Sequence, residues 1–513
     1  MRSFKFATYT LGCKVSQYES TALAEELERL GLEEVDFSQL ADAYIINTCT
    51  VTAESDAKSR KYIRRALRLN PNAVVAVMGC YSQRSPEQVA AIEGVSIVAG
   101  TADKMKLAPM IVEILSKKNS HLDRDVTKGC ESNKASHLGR GGTAGDGEGE
   151  NELRNDVDLW SNDVAPRANI DFGKKGDHFA VDEVLSNKSN ESTSSIANTP
   201  IITTKSLVGE KFEPMSITRP ERTRAYVKIE DGCECRCTYC AIADARGPVR
   251  SKRPEDVIAE VEGLYKSGTR EIVLTGIETG SYGADFEERY DLGDLIAELD
   301  RRGSCERIRL GSLAPELIGE KFITKVGKTK ILAPHFHLSM QSGSDSVLRG
   351  MKRRYSTEMA LRNMEIIRTA FPSATFTTDL MVGFPGESDA DFVETVEFVK
   401  KARFLDCHVF AYSRREGTPA ATYKDQVPEE VKRKRSEILI AEKNKVRDSV
   451  LLEICKRGEP LSCIFETVKK NVWTSHSDTF VPVRAESECD LAGRLVMVKP
   501  TGVVDGVIYG EII

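Results

Sequence analysis

The sequence predicts an α/β protein in three parts: a small open α/β domain at the N-terminus, a partial (β/α)6 barrel, and a small C-terminal β-barrel. Three observations carry this reading. Apolar strand-like runs alternate with amphipathic helical stretches through residues 1–116 and again through 223–455. Residues 456–513 hold only short strand-like runs. Between the first two parts, residues 117–222 lose the alternation and are rich in Gly, Ser, Asn and acidic residues, which reads as a mostly disordered insertion.

In the first part, residues 4–10, 44–47, 73–78 and 95–99 read as strands. Ser20 reads as the N-cap of a helix with Leu23, Leu27 and Leu30 on one face, stopped by Gly31. Cys13, Cys49 and Cys80 each fall within a few residues after a strand end. In a parallel sheet those ends share one edge, where such folds bind ligands, so three thiols far apart in sequence can meet at one point. Taken singly, each is equally a small buried residue; the shared topological position is what suggests a site. Lys58, Arg60, Lys61, Arg64, Arg65 and Arg68 crowd the helix after the second thiol, as a row able to contact phosphates or as a solvated face.

In the barrel, strands are expected at 225–229, 271–276, 307–313, 336–340, 375–382 and 408–412, with helices at 254–266, 292–302 and 356–370 and a long charged helix at 429–452. The loop after the first strand reads Asp231-Gly232-Cys233-Glu234-Cys235-Arg236-Cys237-Thr238-Tyr239-Cys240. Three thiolates at Cys233, Cys237 and Cys240 can hold three irons of a [4Fe–4S] cube and leave the fourth iron open to a cofactor. Adding Cys235 gives a four-thiol set for zinc, although no second knuckle lies close by. Arg349, Lys352, Arg353 and Arg354 form a second basic cluster able to meet RNA. In the tail, strands are expected at 461–465, 479–483, 495–498 and 507–512, with Cys455, Cys463 and Cys489 as packing residues and Cys130 of the insertion outside any ligand pattern.

Composition sets bounds but names no activity. A net charge of −6 excludes wholesale electrostatic binding of nucleic acid and leaves room for a local basic stripe. No apolar run approaches the ~20 residues of a membrane span, and the start MRSFKFATYTLGC lacks the apolar core of a signal peptide, so a cytoplasmic protein is expected. There, thirteen cysteines serve as metal ligands or buried thiols rather than disulfides.

Two groups of residues carry a resemblance. Lys228 to Cys233, Cys237-Thr238-Tyr239-Cys240 and Ala245-Arg246-Gly247 look like the cluster loop of radical S-adenosylmethionine enzymes, specifically the methylthiotransferases. Thr10-Leu11-Gly12-Cys13-Lys14-Val15-Ser16-Gln17-Tyr18-Glu19-Ser20, Asn47-Thr48-Cys49-Thr50-Val51-Thr52 and Met78-Gly79-Cys80 resemble that family's N-terminal domain. The wording is closest to the subfamily that modifies N6-threonylcarbamoyladenosine at position 37, beside a tRNA anticodon; Ser16 stands where an asparagine is expected.

The resemblance implies two [4Fe–4S] clusters, one on Cys233, Cys237 and Cys240 and an auxiliary one on Cys13, Cys49 and Cys80, with S-adenosyl-L-methionine as cofactor. It places Tyr239 near the cofactor's adenine and Thr275-Gly276-Ile277-Glu278 against its methionine part. Ser312, Gln341 and Gly383 end later strands and take rim positions suited to cofactor or substrate. The partners implied are tRNA, an electron donor and a sulfur source, and the tail resembles a TRAM domain, an RNA-binding module. Sister enzymes that methylthiolate isopentenyl-type adenosines or a ribosomal-protein aspartate share the cluster residues. A zinc-stabilised RNA-binding protein is the alternative that is not an enzyme.

Overall fold

The structure, a computed structural model, describes residues 3–129, 199–220 and 223–513, except the side chains of 120–129. The chain divides into two units, Met1–Ser120 with Asn198–Ile513, and His121–Ala197. Of the second unit only the end of one helix is described, so Cys130 and most of the expected insertion lie outside the described residues. No helix among the described residues is long and apolar enough to cross a membrane.

The N-terminal domain is a parallel sheet in the order β2-β1-β3-β4-β5-β6, with β1 Lys5–Thr10, β2 Glu33–Glu34, β3 Ala43–Thr48, β4 Val74–Gly79, β5 Val95–Val98 and β6 Ile201–Ile202. Every residue of β3 and β4 is buried, as expected of central parallel strands covered on both faces. Helix α1 (Lys14–Arg29) packs on one face and α2 (Ala53–Leu69) on the other. Helix α1 starts six residues before the expected cap: Cys13 is the N-cap, and Ser20 is buried inside the helix. Its hydroxyl is taken by Thr10 and Asn47, which explains why a good capping residue caps nothing here.

Short helices α3 (Cys80–Arg84) and α4 (Pro86–Ala90) precede β5, and α5 (Leu107–Gly129) follows it. Residues 199–220 correct the expected insertion boundary. Strand β6 pairs in parallel with β5, and Leu207, Met215 and Ile217 are buried, the last two in the core of the barrel. Isolated apolar residues on an extended strap carry no periodicity, so the sequence pattern did not reveal them.

The barrel comprises β7 Ala225–Lys228, β10 Glu271–Thr275, β11 Arg307–Leu310, β12 Ser312–Leu313, β13 His335–Gln341, β14 Thr375–Val382 and β15 Asp406–Ala411, with the hairpin of β8 Glu230–Asp231 and β9 Arg250–Ser251 at its rim. All the barrel pairings are parallel. The expected strand 307–313 is two strands, because Gly311 turns in against β10; a Cβ there would lie 2.8 Å from Thr279 Oγ1. Helices α6 (Ile242–Arg246), α7 (Pro254–Lys266), α8 (Leu292–Arg302), α9 (Glu320–Val326), α10 (Asp345–Gly350), α11 (Thr357–Ala370) and α12 (Asp389–Ala402) connect the strands.

The outward strand residues Ile272, Leu274, Ile308, Leu310, Phe336 and Leu338 join one core with the helices. Many of the alternate positions, among them Arg307, Arg309, His335, His337, Thr377 and Asp379, are polar. His335 and His337 both bond Thr377 Oγ1 at 2.9 Å, and Asp379 holds His337 and His408. Asp379 is thereby kept well below the usual carboxylate range despite its burial.

A 29-residue helix, α13 (Glu429–Arg457), leads to a closed barrel of β16 Leu461–Lys469, β17 Val472–Ser477, β18 Pro482–Glu486, β19 Leu495–Val504 and β20 Val507–Ile512. The expected strand at 479–483 is in part a turn, with Phe480 at φ 64°. Strand β17 escaped notice because it buries Ser475 and Ser477 beside Trp473, a polar pattern for a buried face. The tail docks on the barrel floor: Arg309 donates to the carbonyls of Ser477 and Asp478 at 2.9 Å, Arg307 donates to Ser462, and Phe480 stacks on His335 at 4.4 Å.

Candidate active site

The N-terminal thiols all lie at the carboxyl edge of the sheet, after β1, β3 and β4. Gly12, at φ +127°, turns the chain so that Cys13 caps α1, and a Cβ on it would lie 3.4 Å from Cys49 Cβ. Cys49 follows β3 directly, three residues before Thr52, whose hydroxyl caps α2. Cys80 opens α3 immediately after Gly79, whose φ of +104° and 2.5 Å virtual contact with Asn47 Oδ1 admit no side chain. The thiols act on one another electrically. Burial, then Cys80 and Cys13, pushes Cys49 up to about 11, and burial raises Cys80 against the pull of Arg246.

The second set sits on the loop after β7. Gly232, at φ +101°, lets the loop pass the carbonyl of Pro248, which a Cβ would approach to 1.9 Å. Cys237 Sγ accepts from Arg353 Nη1 at 3.3 Å, and Cys240 Sγ accepts from the Ile242 amide at 3.4 Å. Cys233 and Cys235 share a hydrogen bond that raises Cys233 and lowers Cys235 to about 6. Among the described residues, no three His, Cys, Asp or Glu side chains are gathered to hold a single metal ion. Arginine donors on Cys80 and Cys237 fit sulfur ligands of an anionic iron–sulfur cube.

Sequence reading missed the link between the two sets. Arg246 closes α6 on the cluster loop, is fully buried, and donates from Nε to Cys80 Sγ at 3.2 Å. Its Nη1 reaches Glu19 Oε1 at 2.5 Å and Asp231 at 3.3 Å. Glu19 of α1 also meets Lys228 at 2.8 Å and Lys104 at 3.1 Å. Three cations hold Glu19 well below the usual carboxylate range, against a burial that would raise it. Helix α1 packs along β7, so this ion cluster seams the thiol edge of one domain to the cluster loop of the other. Arg353, expected to face RNA, turns inward instead: besides Cys237 it bonds Tyr355 and the carbonyl of Ser339, while Arg349, Lys352 and Arg354 stay exposed.

The remaining expected residues ring the barrel mouth. Tyr239 packs against the apolar group of Met351, Met381, Phe384 and Tyr412. A Cβ on Gly276 would sit 2.4 Å from Glu230 Oε2, so glycine is required where β10 ends. Glu230 accepts the Glu278 amide at 2.9 Å, and Glu278 in turn accepts the Ala314 amide at 2.8 Å. Burial raises Glu278 to about 8. Ser312 opens β12, Gln341 ends β13 at φ 65°, and Gly383 follows β14 at φ 73° against Lys432. Lys14, the first residue of α1, carries a half-buried ammonium; burial, then Arg309 and Arg224, lowers it to about 8. On α2, Lys58, Lys61, Arg64, Arg65 and Arg68 are exposed, whereas Arg60 donates to Tyr81 at 3.0 Å.

Comparison with known proteins fits this geometry. The Radical SAM superfamily matches residues 227–399, and the Uncharacterized protein family UPF0004 matches residues 5–100. The chain is 34% identical to the threonylcarbamoyladenosine tRNA methylthiotransferase MtaB of Bacillus subtilis (strain 168), over 96% of this chain and 93% of that protein. The chain belongs to the MtaB-like radical SAM methylthiotransferases. A tRNA-2-methylthio-N(6)-dimethylallyladenosine synthase of Bacillus cereus (strain AH187) is 29% identical over 99% of this chain and 86% of its own. Among solved structures, the radical S-adenosylmethionine methyltransferase TsrM from Kitasatospora setae, with cobalamin and a [4Fe–4S] cluster bound, has a TM-score of 0.50 at 15% identity, covering 82% of this chain and 77% of its own. That likeness is one of fold. Membership in the MtaB-like family makes S-adenosylmethionine and [4Fe–4S] clusters the cofactors.

Proposed function

We propose that this protein adds a methylthio group to C2 of N6-threonylcarbamoyladenosine at position 37 of tRNA. Full-length similarity to MtaB supports the substrate, and it exceeds the similarity to the dimethylallyladenosine synthases. The observation that carries the reading is Arg246, which joins the loop of Cys233, Cys237 and Cys240 to Cys80 within one buried ion cluster. Two thiol sets joined through one buried arginine suit a reaction that activates a base at one and delivers sulfur from the other.

When bound, the clusters and S-adenosylmethionine supply one-electron reduction, radical activation of a C–H bond, and the sulfur and methyl of the product. The chain's own residues hold and exclude. Cys233, Cys237 and Cys240 would hold the cluster that receives the cofactor, with Arg353 donating to Cys237. Cys13, Cys49 and Cys80 would hold the sulfur-carrying cluster, with Arg246 donating to Cys80. Gly276 lets the backbone approach the cofactor closely, and Glu278, fixed by the Ala314 amide, stands as acceptor for an ammonium. Tyr239 closes an apolar side on the adenine, and Ser312, Gln341 and Gly383 present rim contacts. The exposed row on α2 contacts the RNA backbone, and the tail barrel offers a separate surface to the RNA. An electron donor and a sulfur source complete the cycle in the cytoplasm.

The test is one anaerobic reaction of reconstituted enzyme with tRNA carrying N6-threonylcarbamoyladenosine. Cys49→Ala should still release 5′-deoxyadenosine and form no methylthio nucleoside, whereas Cys237→Ser should yield neither. Normal methylthio product from Cys49→Ala would overturn the assignment of sulfur delivery to the N-terminal thiols.

A further inference from the structure

We infer that Lys14 receives the carboxylate of the threonylcarbamoyl substituent and is the residue by which the barrel selects a carboxylate-bearing adenosine. This rests on the substrate reading above and goes beyond it by naming the group that tells that base from a neutral one.

Lys14 follows Cys13 directly and begins α1, whose first turn carries no acidic residue to neutralise it. Its side chain is half-buried and has no hydrogen bond or ion pair among the described residues. The charges around its ammonium come chiefly from the barrel interior: Arg309, Arg224 and Asp379, then Cys13. Each of the barrel groups is already committed. Arg309 holds Glu271 and two tail carbonyls, Arg224 holds Glu271 and Glu466, and Asp379 is shared by His337 and His408.

A half-buried ammonium with no partner among the described residues is unfavourable, and an arriving carboxylate relieves it. The place also suits the substrate's shape. In adenine, C2 and the carbon bearing N6 flank the same ring nitrogen, so a base that offers C2 to the sulfur-carrying thiols brings its N6 substituent close to them as well. Lys14 is one residue from such a thiol. An isopentenyl substituent has no charge to offer there, and a ribosomal aspartate has no adenine to position it.

The test uses full-length protein and anticodon stem-loop RNA carrying N6-threonylcarbamoyladenosine, or its carboxamide analogue, in which the carboxylate is replaced by a neutral amide. Binding is measured directly, alongside kcat/KM for methylthiolation and the iron content of each variant. Wild type should prefer the carboxylate RNA by about tenfold to a hundredfold, the range for a charge-assisted pair. Lys14→Met should abolish that preference in binding by losing affinity for the carboxylate RNA alone, and Lys14→Arg should restore most of it.

Equal loss on both RNAs, or loss of iron in Lys14→Met, would overturn the inference and make Lys14 a charge balance for the neighbouring thiols. An unchanged preference in Lys14→Met would overturn it while leaving the substrate reading intact. A wild type that methylthiolates neither RNA would overturn the substrate reading and this inference with it.

Discussion

Replacing Glu19 by Gln should destabilise the protein more than any other single change in the seam between the two thiol sets. Around Glu19 the structure gathers four cations, Lys104, Lys228, Arg246 and Arg250, against three carboxylates, Glu19, Asp231 and Glu213. Glu19→Gln leaves the same four cations facing two carboxylates. Breaking a buried pair so that charge is left uncompensated costs about 3–5 kcal/mol, and the upper half of that range is expected here. Arg246→Met, by contrast, leaves Glu19 with Lys104 and Lys228, and Asp231 with Lys228 and Arg250, so the lower end is expected.

The pH dependence has a definite sign. Because Glu19 is held well below its ordinary value of 4.5, its contribution is complete above that pH and is lost as pH falls toward the folded value. The assay is urea unfolding of cluster-free, reduced protein followed by circular dichroism at pH 8 and at successively lower pH. Wild type and Glu19→Gln should differ most at pH 8 and converge below about pH 4.5. Equal midpoints at pH 8, or a gap that widens on acidification, would refute the reasoning.

Other outcomes can be checked separately. Cys235→Ser should keep cofactor cleavage within a few-fold while Cys237→Ser loses it, as quantified by 5′-deoxyadenosine; equal damage would favour a four-thiol metal site. Deleting residues 130–198 should leave iron content unchanged, whereas extending the cut through Ile217 should cost stability by removing β6 and the buried Met215 and Ile217, measured by iron analysis and thermal unfolding. The triple change Lys61→Ala, Arg64→Ala, Arg68→Ala on α2 should weaken tRNA binding and reduce the slope of log affinity against log salt by about 2–3, whatever base stands at position 37. An unchanged slope would make that row a solvated face.

The barrel strands were legible because their outward residues form runs such as Ile272 with Leu274 and Phe336 with Leu338, which the structure packs into a single core. The place of Cys13, Cys49 and Cys80 after strand ends was legible because the strands before them are apolar runs. What escaped was long-range chemistry. Glu19 and Arg246 lie 227 residues apart and each reads as an ordinary charged residue until folding buries both. Arg353 sits in a basic run that reads as surface, yet a thiol and two oxygens turn it inward. Ser20 has the chemistry of a cap, and its hydroxyl went to Thr10 and Asn47 instead.

The docking of the tail on the barrel floor has a consequence for how the chain is made. Arg224, Arg307 and Arg309 share the one carboxylate of Glu271, and their other partners, Ser462, Glu466 and the carbonyls of Ser477 and Asp478, belong to a segment that leaves the ribosome after the barrel. Until that segment arrives, three guanidinium groups crowd a single anion at the base of an otherwise finished barrel. Synthesis from the N-terminus therefore yields a catalytic domain whose floor is sealed only after its own strands are made. A chain stopped short of residue 462 would carry every thiol of both sets on a barrel that its own charges hold open.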